Sequence, residues 1–264
     1  MDVFASLDRA ALVETPYPHL LVEHALPDDL AATLLSEVPA LEVFARGKNL
    51  GSNVRFPLPS HVALADPRVS PRWKQAIEAC NAASQALLDR FVARLGAYVL
   101  AAYPDFEASF GPIDRLRAVP RFGPRARNEV GMDMQLVANS PAIQDGTRVR
   151  GPHLDQPDKL ISALLYLRPA DDDSTGAELE LYEPIGEGPR FNQFNDTGFE
   201  KVRHVCTYPY KHNLFVLPAN LPTSLHGVTP RGKTPRPRYH LHIVGEMSGR
   251  LFDVPRAPAA AAPP

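Results

Sequence analysis

The stretch GPHLDQP, residues 151–157, sets an imidazole and a carboxylate on either side of one leucine, in a region that otherwise reads as strand. Successive side chains of an extended backbone alternate faces, so His153 and Asp155 point one way and Leu154 points into the opposite layer. A neutral imidazole nitrogen and an ionised carboxylate aimed at one spot suit a divalent first-row metal, and a second histidine from elsewhere would complete a three-ligand face with open positions opposite it. The same residues also fit an ordinary polar strand end, so the surrounding sequence has to decide between the two.

Composition narrows the field. The chain has 264 residues, 44% hydrophobic and 22% charged, which suits one sizeable globular domain with a real core. A net charge of −2 argues against a general nucleic-acid binder or a membrane-surface protein, both of which need basic excess. Cys80 and Cys206 are far apart and are the only two cysteines, so a disulfide framework is not expected and a reducing compartment is the default. MDVFASLDRAALVE lacks a signal-peptide layout and no apolar run approaches 18 residues, so the protein reads as cytoplasmic.

The 28 prolines are spread along the chain, which favours many short segments over long helices. The exception is VPRAPAAAAPP from Val254: low in complexity and without an apolar face, it predicts a disordered tail over 253–264. The remaining 1–252 is read as a single domain, its helical part covering about 1–110 and a β core about 111–250. PYPHLLVEHAL predicts a short strand, and PDDLAATLLSEV, with a proline and two acids at its start, a helix. From Ser70 to about Tyr103, Trp73, Ile77, Cys80, Ala83, Leu87, Phe91, Leu95 and Val99 recur at three- and four-residue steps, predicting one long helix whose stripe packs on a sheet.

After residue 128 the period changes. Segments 129–139, 159–167, 177–183, 202–208, 213–218 and 238–247 are short, β-branched or aromatic, and bounded by Gly, Pro, Asp or Asn. Mostly uninterrupted by helices, they predict antiparallel strands closing as a jelly roll, a double-stranded β-helix braced by the N-terminal helices, whose mouth can hold a metal and a small ligand.

SLHGVTP supplies the third candidate ligand, His226, far enough beyond Asp155 for several intervening strands. In RYHLHIV, Arg238, His240 and His242 share one face by alternation. A guanidinium there is unfavourable unless it meets an anion, and its planar fork binds a carboxylate through two parallel hydrogen bonds, so Arg238 can hold one end of a dicarboxylic acid. Arg236 is in phase with it and is the second choice; Tyr166, in LLYL, can donate its phenol to the same carboxylate.

From about Met132 to Met247 the chain resembles the Fe(II)/2-oxoglutarate-dependent oxygenases, particularly the branch with prolyl hydroxylases and related bacterial small-molecule hydroxylases. HLD, ALLYLRP, GAELELY, NLFVLP, SLHGV and RYHLHIV follow in the family's order. The N-terminal PYPHLLVEHALPDDLAATLLSEVP also looks like this branch's lead-in strand and helix. The resemblance implies that His153, Asp155 and His226 bind Fe(II), and that Arg238 and Tyr166 bind 2-oxoglutarate, with O2 as the second co-substrate. Asp155 stands where halogenating relatives have a small residue, which implies hydroxylation. His240 departs from the pattern, standing where the family often has a small hydroxyl residue two positions after the arginine, and Arg238 lies slightly further from the distal histidine than in many relatives.

The expected substrate is a small polar metabolite, such as an amino acid or derivative, with a peptide side chain as the alternative. Gln135 and Asn139 are candidate substrate contacts from the strand before the motif. Arg115, Arg117, Arg121, Arg125 and Arg127 can meet an anionic substrate, although charge runs are usually solvated or paired with acids. Residues 45–59 and 184–199 are polar and long enough to form lids. Two other classes compete: a cupin-like metal hydrolase using His240 and His242, short of ligands because only Glu246 is near, and a non-catalytic ligand-binding barrel, which has no need of Arg238 and Tyr166. The sequence does not speak to the oligomeric state.

Overall fold

The computed structural model describes residues 2–186 and 197–252. Its strands are β1 (Ala11–Val13), β2 (His19–Glu23), β3 (Arg55–Leu58), β4 (Arg117–Pro120), β5 (Glu129–Asn139), β6 (Lys159–Leu167), β7 (Leu179–Pro184), β8 (Val202–Tyr208), β9 (Leu214–Pro218), β10 (Leu225–Val228) and β11 (Arg238–Glu246). A large mixed sheet runs β1-β2-β9-β6-β11-β5-β3, with β4 beside β5; a second sheet runs β10-β7-β8. The pairings are antiparallel except that of β4 with β5, and the two sheets are consistent with a β-sandwich. The predicted second-half strands all form, most within two residues of their expected bounds.

Strand β11 explains why the sheet has two unlike faces. It is paired along nearly its whole length with β5 on one side and β6 on the other, and all nine residues are buried. Tyr239, Leu241 and Ile243 alternate onto the outer face with Leu136 and Leu165, where a helical layer covers them. Arg238, His240 and His242 alternate onto the inner face, toward the small sheet, as the sequence predicts. Between the sheets Tyr17, Tyr166, Leu179, Leu181, Tyr210, Leu214 and Val216 form a second apolar cluster, closing one part of the interior and leaving the rest polar.

The helical layer consists of α1 (Asp28–Ser36), α2 (Leu41–Ala45), α3 (Ser60–Ala65), α4 (Pro71–Ala82), α5 (Ser84–Ala102) and α6 (Phe106–Phe110). Strand and helix occupy similar shares, 30% and 28%, so the helices are a full layer and not only flanking braces. The single helix expected over 70–103 is instead two. Ser70 caps α4 by accepting the Trp73 amide at 3.1 Å, with Pro71 at the first helical position. The ladder breaks at Ala83, φ −87° and ψ 7°, whose amide turns to the carbonyl of Cys80 and tightens the last turn. The Asn81 and Ser84 that flank the break belong to the weaker helix formers. The apolar stripe survives the bend: Trp73, Ile77, Cys80, Leu87, Phe91, Leu95 and Val99 are all fully buried, as core. Residues 45–59, expected as a lid, contain the edge strand β3, where Pro57 is tolerated because an edge leaves one side of the ladder unpaired. Most of the other expected lid, 187–196 within 184–199, and the tail 253–264 lie outside the described residues. No helix among those described is long and apolar enough to cross a membrane.

Each fully buried aromatic or leucine of this stripe contributes roughly 1.5–3 kcal/mol. Truncating Phe91 leaves a cavity where the layer meets the sheet, so Phe91→Ala is expected to lower the unfolding free energy by about 3–5 kcal/mol. Glu78→Ala, on the exposed side of α4, should change it by less than about 0.5 kcal/mol, both read from urea midpoints.

Candidate metal centre and anion pocket

GPHLDQP does not form a strand. Residues 151–157 run as a loop that meets sheet geometry once, where His153 and His226 of β10 exchange hydrogen bonds: His153 N to His226 O at 2.9 Å and His226 N to His153 O at 3.0 Å. Pro152 and Pro157 explain the correction, since neither carries an amide hydrogen and a ladder cannot propagate through them. Convergence survives for a different reason than alternation along one strand. Directly opposed residues of an antiparallel pair project to the same side, and the two imidazole ring centres lie 4.3 Å apart. Gly227 permits this approach: a Cβ there would stand 3.0 Å from the carbonyl carbon of Gly151 and 3.2 Å from Pro152 N, backbone atoms that cannot rotate away.

Asp155 completes the group. Its Oδ2 lies 3.7 Å from His226 Nε2, and one ligand atom from each of His153, Asp155 and His226 lies within 4.8 Å of the others. Among the described residues no other cluster of three such side chains has this geometry. His153 Nδ1 is 2.9 Å from the Gly151 carbonyl and His226 Nδ1 3.1 Å from that of Ser224. A carbonyl only accepts, so each Nδ1 carries the proton and each Nε2 keeps its lone pair facing the common point. Lys159 Nζ donates to Asp155 Oδ1 at 3.0 Å, leaving Oδ2 for the centre. Burial alone would push the Asp155 carboxyl up, but the charge of Lys159 and the neighbouring imidazoles hold it well below the ordinary range. Burial, reinforced by His226, pushes His153 well below 6.5. A carboxylate and two imidazoles with Nε2 turned to one point fit a divalent first-row cation.

The three side chains open on a cavity of about 240 Å³ between the two sheets, with Arg238 at its inner wall. Arg238 is 3% exposed, yet among the described residues its Nε and Nη2 have no hydrogen-bond partner. Nη1 contacts Asn139 Oδ1 and His240 Nδ1, both at 3.4 Å, and the guanidinium carbon sits 5.0 Å from the ring centres of Tyr166 and Tyr210. The Tyr166 hydroxyl is buried and likewise unsatisfied; burial raises its pKa and the Arg238 charge offsets part of that rise. Arg238 Nε and Nη2 and the Tyr166 hydroxyl, buried donors without an acceptor among the described residues, have the chemistry to receive an anion.

The other sequence candidates separate cleanly. Arg236 turns outward and donates to Asp171 at 2.8 Å, outside the cavity. Asn139 lines the cavity and reaches Arg238, whereas Gln135 lines an adjoining groove of about 380 Å³. His242 cannot serve a cupin-like centre: its Nε2 contacts Ser162 Oγ at 2.9 Å and its Nδ1 Arg55 Nη2 at 3.0 Å, and Glu246 is held by Arg121 at 2.5 Å. Arg117 pairs with Glu129, and Arg121 and Arg125 with Glu246, so these members of the arginine run are neutralised by acids. Sequence reading missed Lys159 and Arg55. The first stands four residues after Asp155; the second carried no signal, because nothing local says that β3 pairs with the end of β5.

No protein-family model matches the chain, and a search of curated proteins finds no match. Among solved structures, a Trichoplax adhaerens prolyl hydroxylase, in complex with a hypoxia inducible factor oxygen degradation domain peptide fragment, aligns over 92% of this chain and 87% of its own, at 12% identity and a TM-score of 0.51. A Pseudomonas putida prolyl-4-hydroxylase aligns over 94% and 100%, at 17% identity and a TM-score of 0.47. A Caulobacter crescentus protein described as 2OG-Fe(II) oxygenase family aligns over 93% and 81%, at 12% and 0.47. The chain shares its fold with the first of these.

His240 and His242 are buried and held well below 6.5, first by burial and then by Arg238 and Arg55 respectively. In the unfolded chain both take up protons below about 6.5, while the folded protein resists, so folded-state stability is lost as pH falls below that value. The metal-free protein is therefore expected to lose stability between pH 7.5 and 5.5. His240→Leu should flatten that dependence by up to about one proton, ~1.4 kcal/mol per pH unit, in urea titrations across the range.

Proposed function

We propose that this protein is an Fe(II)/2-oxoglutarate-dependent dioxygenase built on a jelly-roll core. In this reading it hydroxylates an unactivated C–H bond of a small polar metabolite, an amino acid or a derivative. The observation that carries the reading is the pairing, within one cavity, of a His-Asp-His group with a buried guanidinium whose Nε and Nη2 face no acceptor among the described residues. A metal hydrolase does not need the second feature, and a silent barrel needs neither.

His153, Asp155 and His226 would hold the iron on one face, leaving positions for the keto-carboxylate end of 2-oxoglutarate and for dioxygen. When bound, Fe(II) supplies the oxidising chemistry: O2 and 2-oxoglutarate are consumed, one oxygen atom enters the substrate C–H bond as hydroxyl, and the other leaves in succinate, with release of CO2. The protein's own groups do the positioning. Arg238 would take the distal carboxylate through its free edge, with the Tyr166 hydroxyl donating to the same group. Asn139 and His240, in contact with the far nitrogen of the guanidinium, fix its plane. Lys159 keeps one oxygen of Asp155 occupied, so that a single oxygen turns to the centre. Leu164, Leu179, Leu181 and Val216 wall the cavity with apolar surface and limit water near the reacting bond.

Under argon, Fe(II) and 2-oxoglutarate together are expected to give a weak visible charge-transfer band that neither gives alone. His153→Ala and Asp155→Ala should abolish it, and Arg238→Met should raise the 2-oxoglutarate concentration needed by roughly 30-fold or more, the loss of a charge-assisted bidentate contact. Iron binding with no response to 2-oxoglutarate would overturn the reading. Gly227→Ala, which pushes the 151–157 loop off β10, is expected to weaken iron binding by roughly 10–100-fold while the far-ultraviolet circular dichroism stays unchanged.

A further inference from the structure

Arg55 begins the edge strand β3 directly opposite Asn139, which is itself opposite Arg238 on β11. Cross-strand partners share a face, so the two arginines stand on the inner face with Asn139 between them. Arg238 lies deep. Arg55 lies where the cavity meets the adjoining groove, and it borders both spaces together with Arg150, Asp155, Lys159 and His242.

The state of the Arg55 guanidinium sets it apart. Among the described residues its one side-chain hydrogen bond goes from Nη2 to His242 Nδ1 at 3.0 Å, and His242 is braced from behind by Ser162. No carboxylate among the described residues lies within ion-pair distance of it, whereas Arg117, Arg121, Arg125, Arg148 and Arg236 each have one. The residue as a whole is exposed, while its contact with His242 is half-buried; burial of the guanidinium, offset in part by Asp155 and reinforced by Arg238 and Arg150, lowers its pKa to about 10. Among the described residues only one of its five N–H donors meets a protein acceptor, and the imidazole contact fixes the direction in which the others point. Lys159 cannot share the task, being taken by Asp155. An oriented and partly desolvated guanidinium without an acid partner is unfavourable in the free protein and gains when an oxyanion arrives.

We propose that Arg55 is the anchor for a carboxylate on the molecule to be oxidised, so that the substrates are carboxylic acids whose acid group docks at the mouth while the target carbon lies toward His153, Asp155 and His226. This rests on the oxygenase reading for what happens next, but the anion site itself does not. The groove beside Arg55 is walled on its apolar side by Pro57, Pro59, Phe122 and Leu154 and on its polar side by Gln135, Gln156, Arg121 and Arg150, which suits an acid whose body carries both apolar and polar groups. A free acid metabolite and the acidic end of a peptide share this chemistry.

The test is calorimetric titration of the anaerobic Fe(II)–2-oxoglutarate complex with N-acetyl amino acids and capped dipeptides, each as the free acid and as its carboxamide. Each acid that binds is expected to bind about tenfold or more tightly than its amide, the effect of a charge-assisted contact. Arg55→Gln should remove that preference and Arg55→Lys should keep part of it, while the 2-oxoglutarate dependence of the visible band stays within about twofold in both variants. Single amino acids binding as well as dipeptides would mark a free metabolite as the source, and dipeptides binding better a peptide; either supports the site. Equal binding of acids and amides, a preference that survives Arg55→Gln, or no binding of any acid overturns it. Loss of the band with an intact Arg55-dependent acid preference would overturn the oxygenase reading and leave the anion site standing.

Discussion

Strand β11 is the constraint on which the rest of the molecule hangs. It is hydrogen-bonded on both sides, and its alternation sends Tyr239, Leu241 and Ile243 to the helical layer and Arg238, His240 and His242 to the interior. A register slip of one residue would place three cationic or imidazole side chains against Leu136, Leu165 and the α4–α5 stripe, and three apolar ones in the polar cavity. The bulk of the outer face thus does more than stabilise: it selects the one register in which the inner face is polar.

The metal group uses a different device. β11 supplies no ligand; the ligands come from the opposite layer, where a proline-bounded loop touches β10 through a single pair of hydrogen bonds. One bridge is a weak element by itself, and its position is over-determined by neighbours: the missing side chain at Gly227, the carbonyls of Gly151 and Ser224 that fix the imidazoles, and Lys159, which reaches from the start of β6 to Asp155. Lys159 is therefore the direct side-chain link between the sheet that carries the anion pocket and the loop that carries the ligands.

Legibility from sequence followed locality. Strands β5, β6, β8, β9 and β11 were readable because their period, composition and boundaries are local properties, and so was the inward face of Arg238. The convergence of His153, Asp155 and His226 was reached through an argument only partly right: alternation within a strand that Pro152 and Pro157 forbid, replaced in the fold by cross-strand opposition. The break at Ala83 was hidden because the apolar stripe continues through it, and periodicity reports which face is buried without reporting whether the axis bends. Arg55 was out of reach for a deeper reason. Its role comes from the pairing of β3 with residues 136–139, some eighty positions away, and a polar glycine-containing segment carries no mark of such a partner.

The interior is organised around charges the folded chain does not itself neutralise. Among the described residues Asp155 is answered by Lys159 and by two imidazoles, but the Arg238 side chain meets only neutral groups and that of Arg55 one imidazole. Leaving Arg238 buried without an acid destabilises the free protein, and the apolar helical layer and the tyrosine cluster around it are what the fold sets against it. A ligand that neutralised these groups would bind the folded state and not the unfolded chain, and by mass action would stabilise it. The two guanidiniums lie on one face with Asn139 between them but differ in depth, Arg238 buried at the inner wall and Arg55 exposed where the cavity opens, so under the proposed function the co-substrate's carboxylate would be the enclosed one and the substrate's the one at the mouth.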